Sequence, residues 1–168
     1  MDNRADDWSD WLSANGPALV LFARQWVPDR ASAEDIVQEA FCRFWRARHN
    51  AADRTAYLYA CVRRCGLEWL RSRSRRARRE AAFARPEVDS ASPLLTSAVE
   101  QDERRAAIEL ALRQLPEDQR QTLVLKIWGG LTFPQIAAAL EISANTAASR
   151  YRYALAKLRE QLSEEVVP

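Results

Sequence analysis

Thr132-Phe133-Pro134-Gln135-Ile136-Ala137-Ala138-Ala139-Leu140-Glu141-Ile142-Ser143-Ala144-Asn145-Thr146, continued to Leu162, is the stretch that decides how this chain folds. Thr132 and Gln135 have the T-x-x-Q spacing of a capping box, which predicts a short helix through Ile136, Ala137 and Leu140. A second start at Ser143 opens a helix that runs to Leu162. At 100° per residue, Ala147, Tyr151, Ala154 and Leu158 fall on its inner face, and Asn145, Ser149 and Arg152 on the opposite side. Two helices at this spacing form a helix-turn-helix, which makes duplex DNA the expected ligand. Small polar residues near the helix start followed by Arg suit a helix entering the major groove N-terminus first, since Asn pairs with adenine and Arg with guanine. Glu141 stands at the turn, where a left-handed backbone favours Gly by up to about 1 kcal/mol.

Working outward, period-2 alternation is nowhere sustained and apolar residues recur at three and four, so the chain is all-α. Trp8, Trp11 and Leu12 predict a first helix that Asn15, Gly16 and Pro17 interrupt, and Leu19, Phe22, Ala23 and Trp26 a second one. Ser32 and Asp35 are expected to cap a third, with Ile36, Val37, Ala40, Phe41, Phe44 and Trp45 inside and Asp35, Gln38, Glu39, Arg43 and Arg46 outside. A fourth runs from about Thr55 into an Arg-rich segment, with Gly66 loosening its middle by roughly 1 kcal/mol. From Arg85 to Val99, Pro86, Pro93, Ser90, Ser92, Glu87 and Asp89 replace periodicity, which reads as a linker. Extended, it reaches roughly 50 Å, enough for lobes on either side to touch separate places on one duplex. Helical pattern resumes at about Asp102. Pro116 and Gly129-Gly130 bracket one more helix before the helix-turn-helix.

The formal charge of +2 on 168 residues is too small to signal nucleic acid, but its distribution is not even. Arg63, Arg64, Arg71, Arg73, Arg75, Arg76, Arg78 and Arg79 face one acid, Glu68, so that segment carries about +7 and the remainder is acidic. Tyr57, Tyr59 and Trp69 interleave with it, the mixture that tracks a phosphate backbone and holds unstacked bases. Opening duplex costs about 1.4 kcal/mol per stacked step against about 1 to 3 kcal/mol returned per captured base, so a larger machine must hold any bubble. The longest apolar run, Ala18 to Ala23, is far too short to cross a bilayer, which predicts a cytoplasmic protein with no membrane insertion. Cys42, Cys61 and Cys65 are expected to be buried reduced thiols. His49 stands alone, with no metal or Ser/His/Asp set around it, so no cofactor and no catalysis are expected.

These pieces resemble the extracytoplasmic-function sigma factors, bacterial sigma-70 family initiation factors that keep only regions two and four. Ala33-Glu34-Asp35-Ile36-Val37-Gln38-Glu39-Ala40-Phe41, with Arg43, Trp45 and Arg46, is similar to the region-two helix that binds core RNA polymerase. Tyr57-Leu58-Tyr59, Arg63 and Leu67-Glu68-Trp69-Leu70-Arg71 resemble the segment that engages the minus-ten element. Leu115-Pro116-Glu117 with Gln119 and Arg120, Gly130-Leu131-Thr132-Phe133, Ile136-Ala137, Thr146 and Ser149-Arg150 resemble region four, the reader of the minus-thirty-five element.

The resemblance implies two small helical domains, region two over 8–84 and region four over 102–162, joined by a flexible linker over 85–101. It implies core-polymerase binding by Asp35, Gln38, Glu39, Arg43 and Arg46. It places minus-ten contacts at Tyr57, Tyr59, Arg63, Arg64, Trp69, Arg71, Arg73, Arg75 and Arg76, and minus-thirty-five contacts at Thr132, Asn145, Thr146, Ser149, Arg150 and Arg152. The resemblance further implies core RNA polymerase and promoter DNA as partners, a free chain that is monomeric, and a family type of control in which an anti-sigma factor clamps both lobes, for which no residue here is itself a signal. Arg64 stands where Asn is common in the family, Ala148 where Lys is frequent, and Asn145 and Glu141 where Gly is usual, so the promoter motif stays open. An operator-binding helix-turn-helix regulator uses the same C-terminal helices, but has no need of the charged face on Ser32 to Arg46. A nuclease would need a carboxylate cluster near the Arg run, and none is present.

Overall fold

The computed structural model describes residues 4–80 and 102–164, with side chains over 8–80 and 108–163. The linker expected at 85–101 lies outside the described residues. Seven α-helices are present among them: α1 (Arg4–Ala23), α2 (Arg30–Ala47), α3 (Arg54–Glu80), α4 (Asp102–Gln114), α5 (Glu117–Ile127), α6 (Phe133–Leu140) and α7 (Ala144–Glu164), with a 3₁₀ turn at Arg48–Asn50. No strand occurs among the described residues. The first three helices make one lobe and the last four another.

Two helix boundaries differ from the sequence expectation. Asn15, Gly16 and Pro17 do not break α1, which runs through them with Pro17 inside. Proline in a helix interior removes one hydrogen bond at a cost of about 3 kcal/mol. Here Pro17 is exposed, and the apolar residues on both sides of it, Trp8, Trp11 and Leu12 before and Leu19 and Phe22 after, pack into one core. Keeping the helix continuous buries both sets together, which offsets the lost bond. In α2 the cap is Asp29 rather than Ser32: its carboxylate accepts from the Ser32 N–H at 2.8 Å and the Ser32 hydroxyl at 2.9 Å. Ser32 has the right chemistry but serves as the third residue's donor, because Asp29 already stands outside the helix with extended backbone.

The core of the first lobe is aromatic. Trp8 meets Phe44 and Trp11, Phe41 meets Phe44, and Phe22 takes Trp26 and Tyr59 edge-on at ring centroid separations of 5.0 and 5.6 Å. Gly66 is buried where α3 crosses Trp26, and a Cβ there would lie 2.4 Å from the indole ring. The glycine that weakens α3 by propensity is thus the one that lets the two elements touch. Cys61 and Cys65 are buried and free, as expected, but Cys42 is exposed on α2, because it falls outside that helix's apolar stripe.

The second lobe is aliphatic and alanine-rich. Leu112, Leu115, Leu123 and Ala154 form its own cluster, while Val124, Leu125, Leu131, Ile136, Leu140 and Ala147 join the same buried cluster as the first lobe's Leu58, Tyr59 and Val62. The two lobes therefore share a seam, in which α3 packs on α6 and α1 on α5.

Candidate functional site

The helix-turn-helix forms as its sequence requires. Thr132 Oγ1 accepts from the Gln135 N–H at 3.3 Å and Gln135 Oε1 accepts from the Thr132 N–H at 2.9 Å, closing the capping box at the start of α6. Ser143 Oγ accepts from the Thr146 N–H at 3.0 Å and starts α7. Between them Glu141 adopts φ 58°, ψ 45°, a left-handed residue that ends α6 without glycine. Asn145, Thr146 and Arg152 are exposed on α7, Ser149 and Arg150 are half-buried, and Ala147 and Ala154 are fully buried beneath. Arg150 Nε lies 3.1 Å from an Asp118 carboxylate oxygen on α5. Thr132 is exposed at the head of α6 rather than on the outer face of α7.

On α2, Asp35, Gln38, Glu39 and Arg46 are exposed along one side. Beside them an apolar groove between α1 and α2 is lined by Leu12, Pro17, Val20, Val37, Gln38 and Phe41. Arg43 is half-buried and tied to neighbours: its Nε lies 2.8 Å from Glu39 and its Nη2 2.9 Å from Glu68 on α3. Hydrogen bonding to Glu68, then Glu39, pushes the Arg43 pKa up, and the same bond holds the Glu68 carboxyl below its usual range. Arg43 joins α2 to α3 as well as sitting at the edge of the exposed face.

The basic end of α3 is open to solvent: Arg71, Arg73, Arg75 and Arg76 are all exposed, and the Arg73 guanidinium carbon lies 5.4 Å from the Trp69 ring centroid. Trp69 is half-buried. Tyr57 is also half-buried, tilted against Phe44, and burial raises its pKa.

Tyr59 is a correction. Grouped with the aromatics of the basic segment, it is only 1% exposed, packed on Phe22, and its hydroxyl faces Gly129 of the second lobe. That hydroxyl is buried without a hydrogen-bond partner, and burial pushes its pKa well above the usual tyrosine value. In this arrangement it meets no base. Alternate aromatics along a helix point in different directions, and two residues after Tyr57 the α3 surface has turned from rim to core.

Arg63 and Arg64 are the residues whose surroundings the sequence did not reveal. Both reach the helix-turn-helix turn: Arg64 Nη2 is 3.0 Å and Arg63 Nη1 3.6 Å from the two carboxylate oxygens of Glu141. Nearby, Gln135 Nε2 donates to Asp53 Oδ2 at 2.9 Å, and Asp53 Oδ1 accepts from the Ala56 N–H at 2.8 Å. The cap of α3 and the capping box of α6 are thereby hydrogen-bonded to each other. Arg120 on α5 donates to Gln25 in the turn that follows α1. Glu141, Asp118 and Asp53 carried no motif; only the misfit of Glu141 at a glycine position marked one of them. No group of three metal-binding side chains occurs among the described residues, and no helix there is long and apolar enough to cross a membrane.

Known proteins agree with this arrangement over almost its whole length. Residues 11–76 match Sigma-70 region 2 and residues 105–158 match Sigma-70 region 4. A Streptomyces avermitilis "RNA polymerase sigma-E factor" is 31% identical over 159 residues, covering 93% of this chain and 85% of the relative. The chain is an extracytoplasmic-function sigma factor of the sigma-70 family. The Mycobacterium ulcerans "ECF RNA polymerase sigma factor SigK" is also 31% identical, over 139 residues that cover 80% of this sigma factor and 74% of its own length. Among solved structures, the fold is shared with the sigma factor RpoE of Bartonella quintana, solved with the anti-sigma factor NepR, at TM-score 0.69 and 24% identity, covering 94% of this chain and 97% of that one. It is shared too with CnrH, solved with the cytosolic domain of CnrY, at TM-score 0.58 and 24% identity over 96% and 91% of the two chains. Matches to both lobes favour an initiation factor over a simple operator-binding regulator, which needs only the second.

Proposed function

We propose that this sigma factor docks on core RNA polymerase through the α2 face of Asp35, Gln38, Glu39, Arg43 and Arg46, engages the minus-ten element through α3, and reads the minus-thirty-five element from the start of α7. The observation that carries this reading is the α2 face, which leaves Asp35, Gln38, Glu39 and Arg46 exposed beside an apolar groove. An exposed polar rim around an apolar strip is the make-up of a protein–protein interface. On α3, Tyr57, Trp69, Arg63, Arg64, Arg71, Arg73, Arg75 and Arg76 supply phosphate contacts and ring faces. Captured bases return too little to open a dozen pairs, so polymerase holds the bubble and the chain performs no chemistry of its own. On α7, Asn145, Thr146, Ser149, Arg150 and Arg152 face the groove, with Thr132 at the head of α6. The factor works in the cytoplasm, is monomeric when free, and is held in check by an anti-sigma factor.

The decisive experiment replaces Asp35 and Gln38 with Lys and measures co-purification with core polymerase. Association is lost while helix content by circular dichroism is unchanged; normal assembly would overturn the docking face. Replacing Arg152 with Ala weakens binding to the upstream element by about 1 to 3 kcal/mol where it reaches a base.

A further inference from the structure

Three cations assigned above to DNA are engaged with carboxylates of the second lobe. Glu141 places one oxygen against Arg64 and the other against Arg63, and Asp118 holds Arg150. Arg63, Asp118, Glu141 and Arg150 line one cleft. Glu141 reaches it because it is the left-handed residue of the turn, a backbone position that favours glycine, and glycine would leave both arginines without their carboxylate. Tyr59 belongs to the same closure, since its ring and hydroxyl are covered by the second lobe at Gly129.

We infer that Glu141 is an intramolecular latch: its carboxylate occupies the phosphate-binding position of Arg63 and Arg64 and, at the rim of the apolar seam that joins the lobes, adds to what keeps them closed, so that the free factor masks part of its own minus-ten surface. A carboxylate and a DNA phosphate cannot both take the same guanidinium faces. DNA binding at α3 therefore requires the turn of the helix-turn-helix to leave, and the apparent affinity is lowered by the fraction of chains that are open. Coupling of this kind is reciprocal: whatever draws the second lobe away, including upstream DNA or polymerase, unmasks Arg63 and Arg64. The ion pairs are largely exposed, so the latch is weak and reversible. It rests on the reading that Arg63 and Arg64 contact DNA.

The test uses the full chain labelled with dyes at the exposed Cys42 and at an Arg159→Cys substitution on α7, and reads energy transfer together with binding of a minus-ten duplex in low salt. Glu141→Gln keeps the side chain and removes its charge; it changes the transfer efficiency and raises duplex affinity about two- to fivefold, the range exposed ion pairs support. Glu141→Gly does the same, and also relieves the left-handed position, so loss of folding does not obscure the result. Unchanged transfer in both Glu141 variants would overturn the latch. Altered transfer with unchanged affinity would leave the latch standing and overturn instead the assignment of Arg63 and Arg64 to DNA.

Discussion

The two lobes achieve stability by opposite means. The first packs large rings, with Phe22, Phe44 and Tyr59 all but inaccessible and Trp8, Trp11, Trp26 and Trp45 around them. The second brings backbones close through Ala137, Ala139, Ala147 and Ala154 and depends on well-made helix ends. A lobe of rings has a few irreplaceable contributors, whereas a lobe of short helices spreads its stability over caps and small residues. The lesson concerns function as well. The ring-filled lobe carries a 27-residue helix that is largely buried over its first half, Ala56 to Gly66, and whose basic end stands in solvent.

Removing a ring from the first lobe is the severest way to break this comparison. Phe44 is fully buried and touches Trp8, Phe41 and Tyr57. Phe44→Ala costs about 3 to 5 kcal/mol, read as a lower urea midpoint. Leu123→Ala in the second lobe removes fewer atoms and no ring contact, so it costs less than Phe44→Ala within the range of about 2 to 5 kcal/mol; an equal or larger loss there would undo the contrast. Because the lobes share one buried seam, both variants unfold in a single transition with tryptophan fluorescence and circular dichroism coincident.

Next in size is the reverse operation, adding an atom. Gly66→Ala drives a methyl into the Trp26 ring and costs about 1 to 3 kcal/mol despite the better helix propensity of Ala. Stabilisation, the outcome propensity alone predicts for a mid-helix Gly→Ala change, would show that Trp26 moves freely and that the first lobe is loosely packed.

How far the sequence revealed this molecule follows from the range of each interaction. The capping box at Thr132 and Gln135, the start at Ser143 and the buried Ala147 and Ala154 were readable because partners lie within a turn or two of each other. Pro17 looks like a break in the sequence because its local cost is visible there and the tertiary packing that offsets it is not. Ser32 and Asp29 are equivalent cap candidates in the sequence pattern, and only φ and ψ at Asp29 separate them. Tyr59 stands among the aromatics of the basic segment, and no local pattern shows that its face of α3 is buried in this arrangement. Glu141 to Arg64 spans 77 positions, Asp53 to Gln135 82 and Arg120 to Gln25 95. Nothing local encodes such pairs, although Glu at a left-handed turn was a legible misfit that pointed to one of them.

The caps give the smaller effects and the sharper discrimination between lobes. Thr132→Ala removes the acceptor for the Gln135 N–H and lowers stability by about 1 kcal/mol, independently of pH, since no charge is involved. It also loosens Gln135, whose amide reaches Asp53, so hydrogen exchange at the start of α3 rises along with that of α6; protection changes confined to α6 would show that the two caps act separately.

The corresponding cap in the first lobe is a carboxylate. Hydrogen bonds from the Ser32 backbone and hydroxyl, with a smaller contribution from Arg24, hold the Asp29 carboxyl below its usual value near 3.8. The folded state thus binds that proton less readily than the unfolded one, so the stabilisation is complete above the unfolded pKa and disappears as pH falls through it towards the lowered folded value. Asp29→Asn keeps the capping geometry and changes stability at pH 7 by only a few tenths of a kcal/mol, because Asn and Asp cap about equally well. It removes the titration. The urea midpoints of parent and variant therefore differ in their pH dependence between about pH 5 and pH 3, with the parent falling more steeply, whereas the Thr132→Ala variant runs parallel to the parent throughout. Identical slopes for parent and Asp29→Asn would mean that the Ser32 hydrogen bonds favour neither protonation state, and that the two lobes are capped by the same physics after all.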